Sequence, residues 1–242
     1  MILAVLQARM NAPGLPGKAL MPLVRAPLIA RQIERMARAG RIDRIVVVTT
    51  TAPEDDAIDA AVRREAIPVH RGPPNDELAR LIGALDAYPA DHVLRLDADS
   101  PLVDPEVLDA TIDLHLSEKA DHTTNRPPGA AWPAGQGAEV ITAQGLRRIA
   151  AEGAAPRLSA EGRGGDGPDE TRLPDRWSSR ALLRDPDQGE VRWAVDVPAD
   201  YAFVAAVYDA LYPANRAFTS DDVRALLMAR EDLATFGGAR RL

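Results

Sequence analysis

Apolar positions fall into two alternating patterns along this chain: short unbroken runs, and runs spaced for one face of a helix. Ile2–Leu6 reads as a buried strand. In Leu28–Ala39, Leu28, Ile29, Ile33 and Met36 share a helical face, with Gly40 as the C-terminal stop. Arg44–Thr49 is rich in β-branched residues and reads as a fully buried strand. Thr51-Ala52-Pro53-Glu54 has the form of a capping box, which predicts a helix from Pro53 to Glu65. Ile67–His70 is a short strand, Asp76–Tyr88 a helix and His92–Leu96 a strand. Asp104 caps a helix that Pro105 opens and that runs to about Leu116.

Strand and helix alternating over short connectors predict an α/β fold, a mainly parallel sheet with helices on both faces. Ligands of such sheets bind beyond the carboxyl ends of the strands. That places three loops together: Gln7–Lys18, the Gly72–Asp76 turn and Asp97–Ser100. Further on, Ala138–Thr142 and Glu190–Val195 read as strands, with helices near Ala143–Glu152, Ala199–Leu211 and Ser220–Ala229. Gly153–Glu170 holds five Gly and two Pro, so residues 153–176 read as a flexible loop or insert. Nothing in residues 1–242 marks an internal repeat or an independent second domain.

The loop after the first strand, QARMNAPGLPGKAL, carries the first chemical signal. Backbone N–H groups of a Gly/Pro-punctuated loop can face phosphate oxygens, with Arg9 and Lys18 to neutralise them. Leu15-Pro16-Gly17-Lys18 is a stiff corner that would fix the ammonium. The loop departs from G-x-x-x-x-G-K-[ST], because Ala19 follows Lys18 and no Gly stands five positions before Gly17. The alternative is a surface loop with two ordinary basic residues. The net charge of −7 argues against a nucleic-acid binder with a broad basic face, yet Met1–Val24 contains no acidic residue, so its positive charge is local.

Composition narrows the rest. The 242 residues are 46% apolar, enough for one large α/β domain. With no Cys there is neither a disulfide framework nor a thiolate site. No run approaches the roughly 18 apolar residues of a membrane span, and the start lacks a signal-peptide pattern, so a cytoplasmic protein is expected. His70, His92, His115 and His122 lack ligand spacing, and the three Trp read as packing. No G-x-S-x-G supports a hydrolase triad.

Leu94–Leu102 reads LRLDADSPL, so Asp97 and Asp99 follow a strand on one face. Trp193-Ala194-Val195-Asp196 ends a second strand in the same way. Carboxylates beside a phosphate loop suit Mg²⁺, which takes one or two of them and completes its shell with phosphate and water. Asp99 is expected as a ligand. Asp196 is as well placed to cap a helix as to bind a metal, and Asp104 and Asp200 are expected to be caps alone.

These residues resemble the cytidylyltransferases that activate sugar acids, above all the spore-coat polysaccharide biosynthesis branch. The matching stretches are Gln7-Ala8-Arg9 with Leu15-Pro16-Gly17-Lys18-Ala19-Leu20, Thr49-Thr50 with Asp55-Asp56-Ala57-Ile58, and Asp76, Leu78 and Arg80. They continue through Asp99-Ser100-Pro101-Leu102-Val103-Asp104-Pro105 to Arg192-Trp193-Ala194-Val195-Asp196-Val197-Pro198.

The resemblance implies a nucleotide-diphosphosugar transferase-like fold with a small dimerisation arm, and hence a homodimer. It implies cytidylyl transfer from CTP to a sugar-acid-like or other small acceptor, with Mg²⁺ and release of pyrophosphate. Arg9 and Lys18 would hold the triphosphate and be catalytic. Leu6, Gln7 and Ala8, with Asp76, Arg80 and Asp97, would bind the nucleotide, and Asp99 and Asp196 the metal. The chain departs from the family pattern at Gly14, where the family has Arg, and at Ala12, where it has Ser. It departs again at Ala98, at the acceptor loop Pro133-Ala134-Gly135-Gln136-Gly137, which lacks both carboxylates, and at Glu170, Thr171 and Pro174. Two other readings stay open: a nucleotide-binding protein without turnover, and a nucleotide-sugar-dependent glycosyltransferase using Asp97-Ala98-Asp99 as a D-x-D motif.

Overall fold

The computed structural model describes residues 1–152 and 177–242. The strand runs of the sequence form a seven-stranded sheet. β1 (Ile2–Gln7) lies at its centre, between β4 (Arg44–Thr50) and β6 (His92–Asp97), and β5 (Val69–Gly72) closes that side. All of these pair in parallel, with Gln7 in register with Val48 on one neighbour and Asp97 on the other. Beyond β6 the order continues through β8 (Glu139–Thr142), β7 (His122–Thr124) and β9 (Ser179–Ala181). Both the β6–β8 and β8–β7 pairings are antiparallel. A small hairpin of β2 (Pro22–Leu23) and β3 (Ala26–Pro27) stands apart.

Both faces are covered, as the unbroken apolar strands require. Ala4, Leu6 and Leu94 face α1 (Leu28–Met36), α2 (Asp56–Arg64) and α4 (Pro105–Ser117) through Ile33, Ile58 and Ile112. Leu3, Val5 and Val46 face α3 (Glu77–Ala87) and α5 (Ala143–Glu152) through Leu81 and Leu146. A third cluster, around Trp193, Phe203 and Tyr208, joins α6 (Pro198–Leu211), α7 (Ser220–Ala229) and α8 (Glu231–Ala234) to the Leu28 and Leu102 side of the sheet.

Several local expectations are corrected. The Thr51 capping box does not form: Thr51 is exposed, and Pro53–Asp55 is a 3₁₀ turn leading into α2. The order there comes from Thr50, whose hydroxyl donates to buried Asp55 and accepts from the Ala52 N–H at 3.1 Å. β5 begins two residues later than expected. Glu190–Val195 forms no strand of the main sheet: Glu190 lies in a turn, Ala194 in a bend, and Arg192 makes one bridge, to Ala134. Asp104 does cap α4, accepting from Glu106 N–H at 3.0 Å. Its other oxygen accepts from the backbone and hydroxyl of Ser220, both at 2.6 Å, so the same carboxylate also anchors α7. The expected flexible insert 153–176 lies outside the described residues. Among the described residues no helix is long and apolar enough to cross a membrane.

Candidate nucleotide-binding site

Past Gln7 the strand bonds run out within a residue or two: Ala8 N–H reaches Val48 O at 3.0 Å, and Ala98 N–H reaches Gln7 O at 2.8 Å. The loop that follows is tied down at both ends. Met10 N–H donates to Asp55 Oδ1 at 2.7 Å, and Gly17 N–H closes back on Met10 O at 2.7 Å. Gly17 has φ 76°, which lets the corner turn into a 3₁₀ turn over Lys18–Leu20. Gly14 is constrained more severely. It too has φ 76°, and a Cβ there would stand 2.5 Å from Asp196 O. The loop backbone therefore lies directly against the Asp196 segment, with no room for a side chain.

That docking brings the predicted cation to the predicted carboxylates. Lys18 Nζ lies 2.8 Å from Val195 O, 3.4 Å from Asp99 Oδ2 and 3.3 Å from Asp196 Oδ1, with its side chain only 11% exposed. Ser100 Oγ donates to the other oxygen of Asp99 at 2.8 Å, and Val195 N–H bonds Asp99 O at 2.8 Å. Two carboxylates and a carbonyl thus converge on a point already holding a cation. Such hard oxygen donors suit Mg²⁺, which needs only one or two protein carboxylates. Arg9 stands half-buried at the start of the same loop.

Asp200 is the main correction on this side, because it is more than a cap. It is 1% exposed and accepts from Asp196 N–H and Val197 N–H, both at 3.1 Å. It also pairs with Arg192 at 2.9 Å and with fully buried Arg241 at 2.8 Å. Burial alone would raise its pKa, but the bonds from Arg241 and Arg192 hold the carboxyl below its ordinary value. Arg192 also reaches Asp196 Oδ2 at 3.2 Å. The segment bearing Asp196 is thereby fixed to α6 and to the C-terminal residues.

On the other side of the strand ends, Asp76 caps α3, accepting from Ala79 N–H at 2.8 Å. Arg80, 4% exposed, donates to the carbonyls of Pro73 and Pro74 at 2.8 and 3.0 Å and so braces the Gly72–Asp76 turn. Gly72 makes room for it, since a Cβ there would lie 2.9 Å from Arg80 Cγ. Sequence reasoning missed a buried charge network at this end. Gln7 Nε2 donates to Glu77 Oε1 at 2.9 Å, and Arg95 Nε reaches the same oxygen at 3.2 Å. Arg95 continues to Glu139 at 3.1 Å and pairs with Asp97 at 3.7 Å. Beyond it, Glu139 Oε1 and His122 Nε2 are 2.7 Å apart. Burial pushes the Glu139 pKa up, yet Arg95 and His122 together hold it below its ordinary value. The available signal was an Arg at the centre of the run Val93–Leu96, because a buried guanidinium needs acidic partners.

The region matching the family's acceptor loop is built into the scaffold. Ala134 bonds Val191 and Trp193 at 2.8 and 2.7 Å. Gly135 has φ 95°, and a Cβ there would lie 2.6 Å from the Trp193 backbone. Gln136 is fully buried: its Oε1 accepts from Asp104 N–H at 2.9 Å and its Nε2 donates to Leu102 O at 2.6 Å. Glu170, Thr171 and Pro174 lie outside the described residues. Among the described residues no three or more His, Asp or Glu gather as a metal cluster.

Residues 3–151 match the cytidylyltransferase family. The spore coat polysaccharide biosynthesis protein SpsF of Bacillus subtilis (strain 168) is 33% identical over 134 residues, 53% of this chain and 56% of that protein. A 3-deoxy-manno-octulosonate cytidylyltransferase of Anaeromyxobacter sp. (strain K) is 37% identical over 117 residues, 46% of each. The chain thus spans about half the length of the curated relatives it matches. Among solved structures, a cytidylyltransferase from Leptospira borgpetersenii serovar Hardjo-bovis (strain JB197) superposes with a TM-score of 0.83 at 23% identity, covering 96% of this chain and 95% of that one. A CMP:2-keto-3-deoxy-manno-octonic acid synthetase complexed with CTP gives 0.65 at 17% identity, over 86% and 98%. These two likenesses establish the nucleotidyltransferase-like fold.

Proposed function

The chain belongs to the cytidylyltransferase family, and from that premise we propose that it transfers a cytidylyl group from CTP to a small, sugar-acid-like acceptor and releases pyrophosphate. The observation that carries this reading is the meeting of Lys18 with Asp99, Asp196 and the Val195 carbonyl. Residues from three distant parts of the chain make one cation-and-carboxylate centre at the carboxyl ends of the strands. There the loop after β1 would receive the triphosphate, Arg9 and Lys18 would neutralise it, and the base would lie over residues 6–8 and the start of α3.

Attack of an acceptor hydroxyl at the α-phosphorus needs fixed positive charge more than it needs a protein nucleophile. Lys18 supplies a preset ammonium, held in line by Val195 O. Asp99 and Asp196 would hold Mg²⁺, which when bound adds charge neutralisation across the phosphate oxygens. Ser100 and Arg192 keep those two carboxylates oriented. A homodimer remains part of the proposal, and light scattering tests it.

A thermal-shift screen of the four nucleoside triphosphates with Mg²⁺ comes first, since a ligand of the folded state raises its melting temperature. Pyrophosphate release with an acceptor panel follows, and Lys18→Ala should lower it on the order of a hundredfold or more. Stabilisation by none of the triphosphates would sink the reading. One observation favours nucleotide binding without turnover as a second reading: Gly14 stands where the family has an Arg, pressed against Asp196. CTP binding with no pyrophosphate release from any acceptor would select it.

A further inference from the structure

The buried network at the end of β1 contains a device that the transfer chemistry does not need. Gln7 ends β1, is 8% exposed, and its side-chain amide is held by Glu77. A carboxylate only accepts, so the bond at 2.9 Å fixes which end of that amide is nitrogen and turns its carbonyl oxygen away from Glu77. Left alone, an amide can rotate and present a donor or an acceptor to the same ligand atom. Here it cannot, because Glu77 is itself pinned by Arg95, and Arg95 is held in turn by Glu139 and Asp97. Two carboxylates also reach this corner: the side chains of Glu77 and Asp97 are 24% and 28% exposed. Acceptors crowd the place where the proposed reading puts the base.

We infer that Glu77, backed by Arg95, locks the Gln7 amide as a hydrogen-bond acceptor and so makes this corner select a nucleobase bearing an exocyclic amino group over one bearing a carbonyl. This rests on the reading that a nucleoside triphosphate occupies the site with its base at residues 6–8. Cytosine and uracil differ at that edge by donor against acceptor. A fixed acceptor set accordingly rewards the first and leaves the second facing unpaired lone pairs.

The test is calorimetric titration of wild-type protein, Glu77→Leu and Arg95→Lys with CTP and with UTP, in the presence of Mg²⁺. Glu77→Leu keeps the side chain's approximate size but removes the oxygen that both Gln7 and Arg95 reach, which frees the Gln7 amide to turn. The expected result is wild-type preference for CTP, with the CTP:UTP affinity ratio reduced on the order of tenfold in Glu77→Leu and by less in Arg95→Lys. The gain for UTP is the telling part, since mere damage would weaken both nucleotides alike. An unchanged ratio in Glu77→Leu overturns the inference, as does wild-type binding without discrimination, and both leave the transfer reading standing. Binding of neither nucleotide by the wild type overturns the two together.

Discussion

The two halves of the sheet are built by different rules. From β5 through β4 and β1 to β6 every pairing is parallel, β1, β4 and β6 carry apolar runs, and the strand ends and loops at their carboxyl side carry Gln7, Arg9, Lys18, Asp97 and Asp99. From β8 through β7 to β9 the strands run three or four residues each, antiparallel pairings enter, and the nearby loop of residues 133–137 is held by Gly135 and Gln136. In the first half backbone hydrogen bonding sets the geometry, and the charged side chains gather at the carboxyl ends of the strands. In the second, polar and charged side chains are themselves the framework. The family resemblance follows a similar line: the loop after β1 keeps Gln7, Arg9 and Lys18 while departing at Ala12 and Gly14, and the loop of residues 133–137 lacks both of the family's carboxylates.

The largest test of that contrast is removal of a framework charge from the second half. Asp200→Ala leaves Arg241 buried without its partner, which should cost about 3–5 kcal/mol of stability in urea unfolding. A loss under about 1 kcal/mol would mean that packing around Trp193, not the ion pairs, holds this half. Acid probes the seam next. His115 on α4 is fully buried and lies 3.0 Å from both His92 on β6 and Thr123 on β7. Burial, then the neighbouring His92 and His122, push its pKa down to about 4, against roughly 6.5 in an unfolded chain. The native imidazole is therefore neutral while the unfolded one takes up a proton. Stability present above pH ~6.5 should drain away as pH falls to about 4, on the order of 3 kcal/mol. His115→Gln should flatten denaturation midpoints across that window, and an unaltered slope would assign the loss to other groups. The smallest effect belongs to the first half. Gly14→Ala places a Cβ at positive φ and against Asp196 O, and about 1–2 kcal/mol should be lost from the backbone conformation alone. Thermal melting measures it, and a neutral result would show the loop to be less closely docked than its contacts indicate.

Legibility in the sequence followed the same divide. Ile2–Leu6, Arg44–Thr49 and His92–Leu96 announced their strands because a strand buried on both faces is an apolar run. Asp99, Asp196 and Lys18 were readable because each closes or follows such a run. His122–Thr124 and Ser179–Ala181 gave no sign: three-residue strands of His, Thr, Ser and Arg carry no period, and only partners distant in sequence make them strands. Asp200 was read as a cap because local spacing reveals the cap and cannot reveal Arg241, which lies 41 residues on. Glu77, Arg95 and Glu139 were missed for the same reason. The sequence displays a charge but not the burial that forces it to find a partner.

Arg241 also sets an order of events during synthesis. A domain generally folds as a unit once its residues have emerged, at roughly 5–20 residues each second. The parallel half, with the loop after β1 and Lys18, is complete in sequence by residue 97. The segment that presents Asp196 is clamped through Asp200 by the guanidinium of Arg241, 41 residues further along the chain. A nascent chain thus presents Lys18 and Asp99 well before Arg241 can add its clamp to the Asp196 segment. Nascent chains stalled before Arg241 is exposed should therefore show faster limited proteolysis of the Asp196 segment than chains stalled after it, and equal rates would assign the clamp to Arg192 alone.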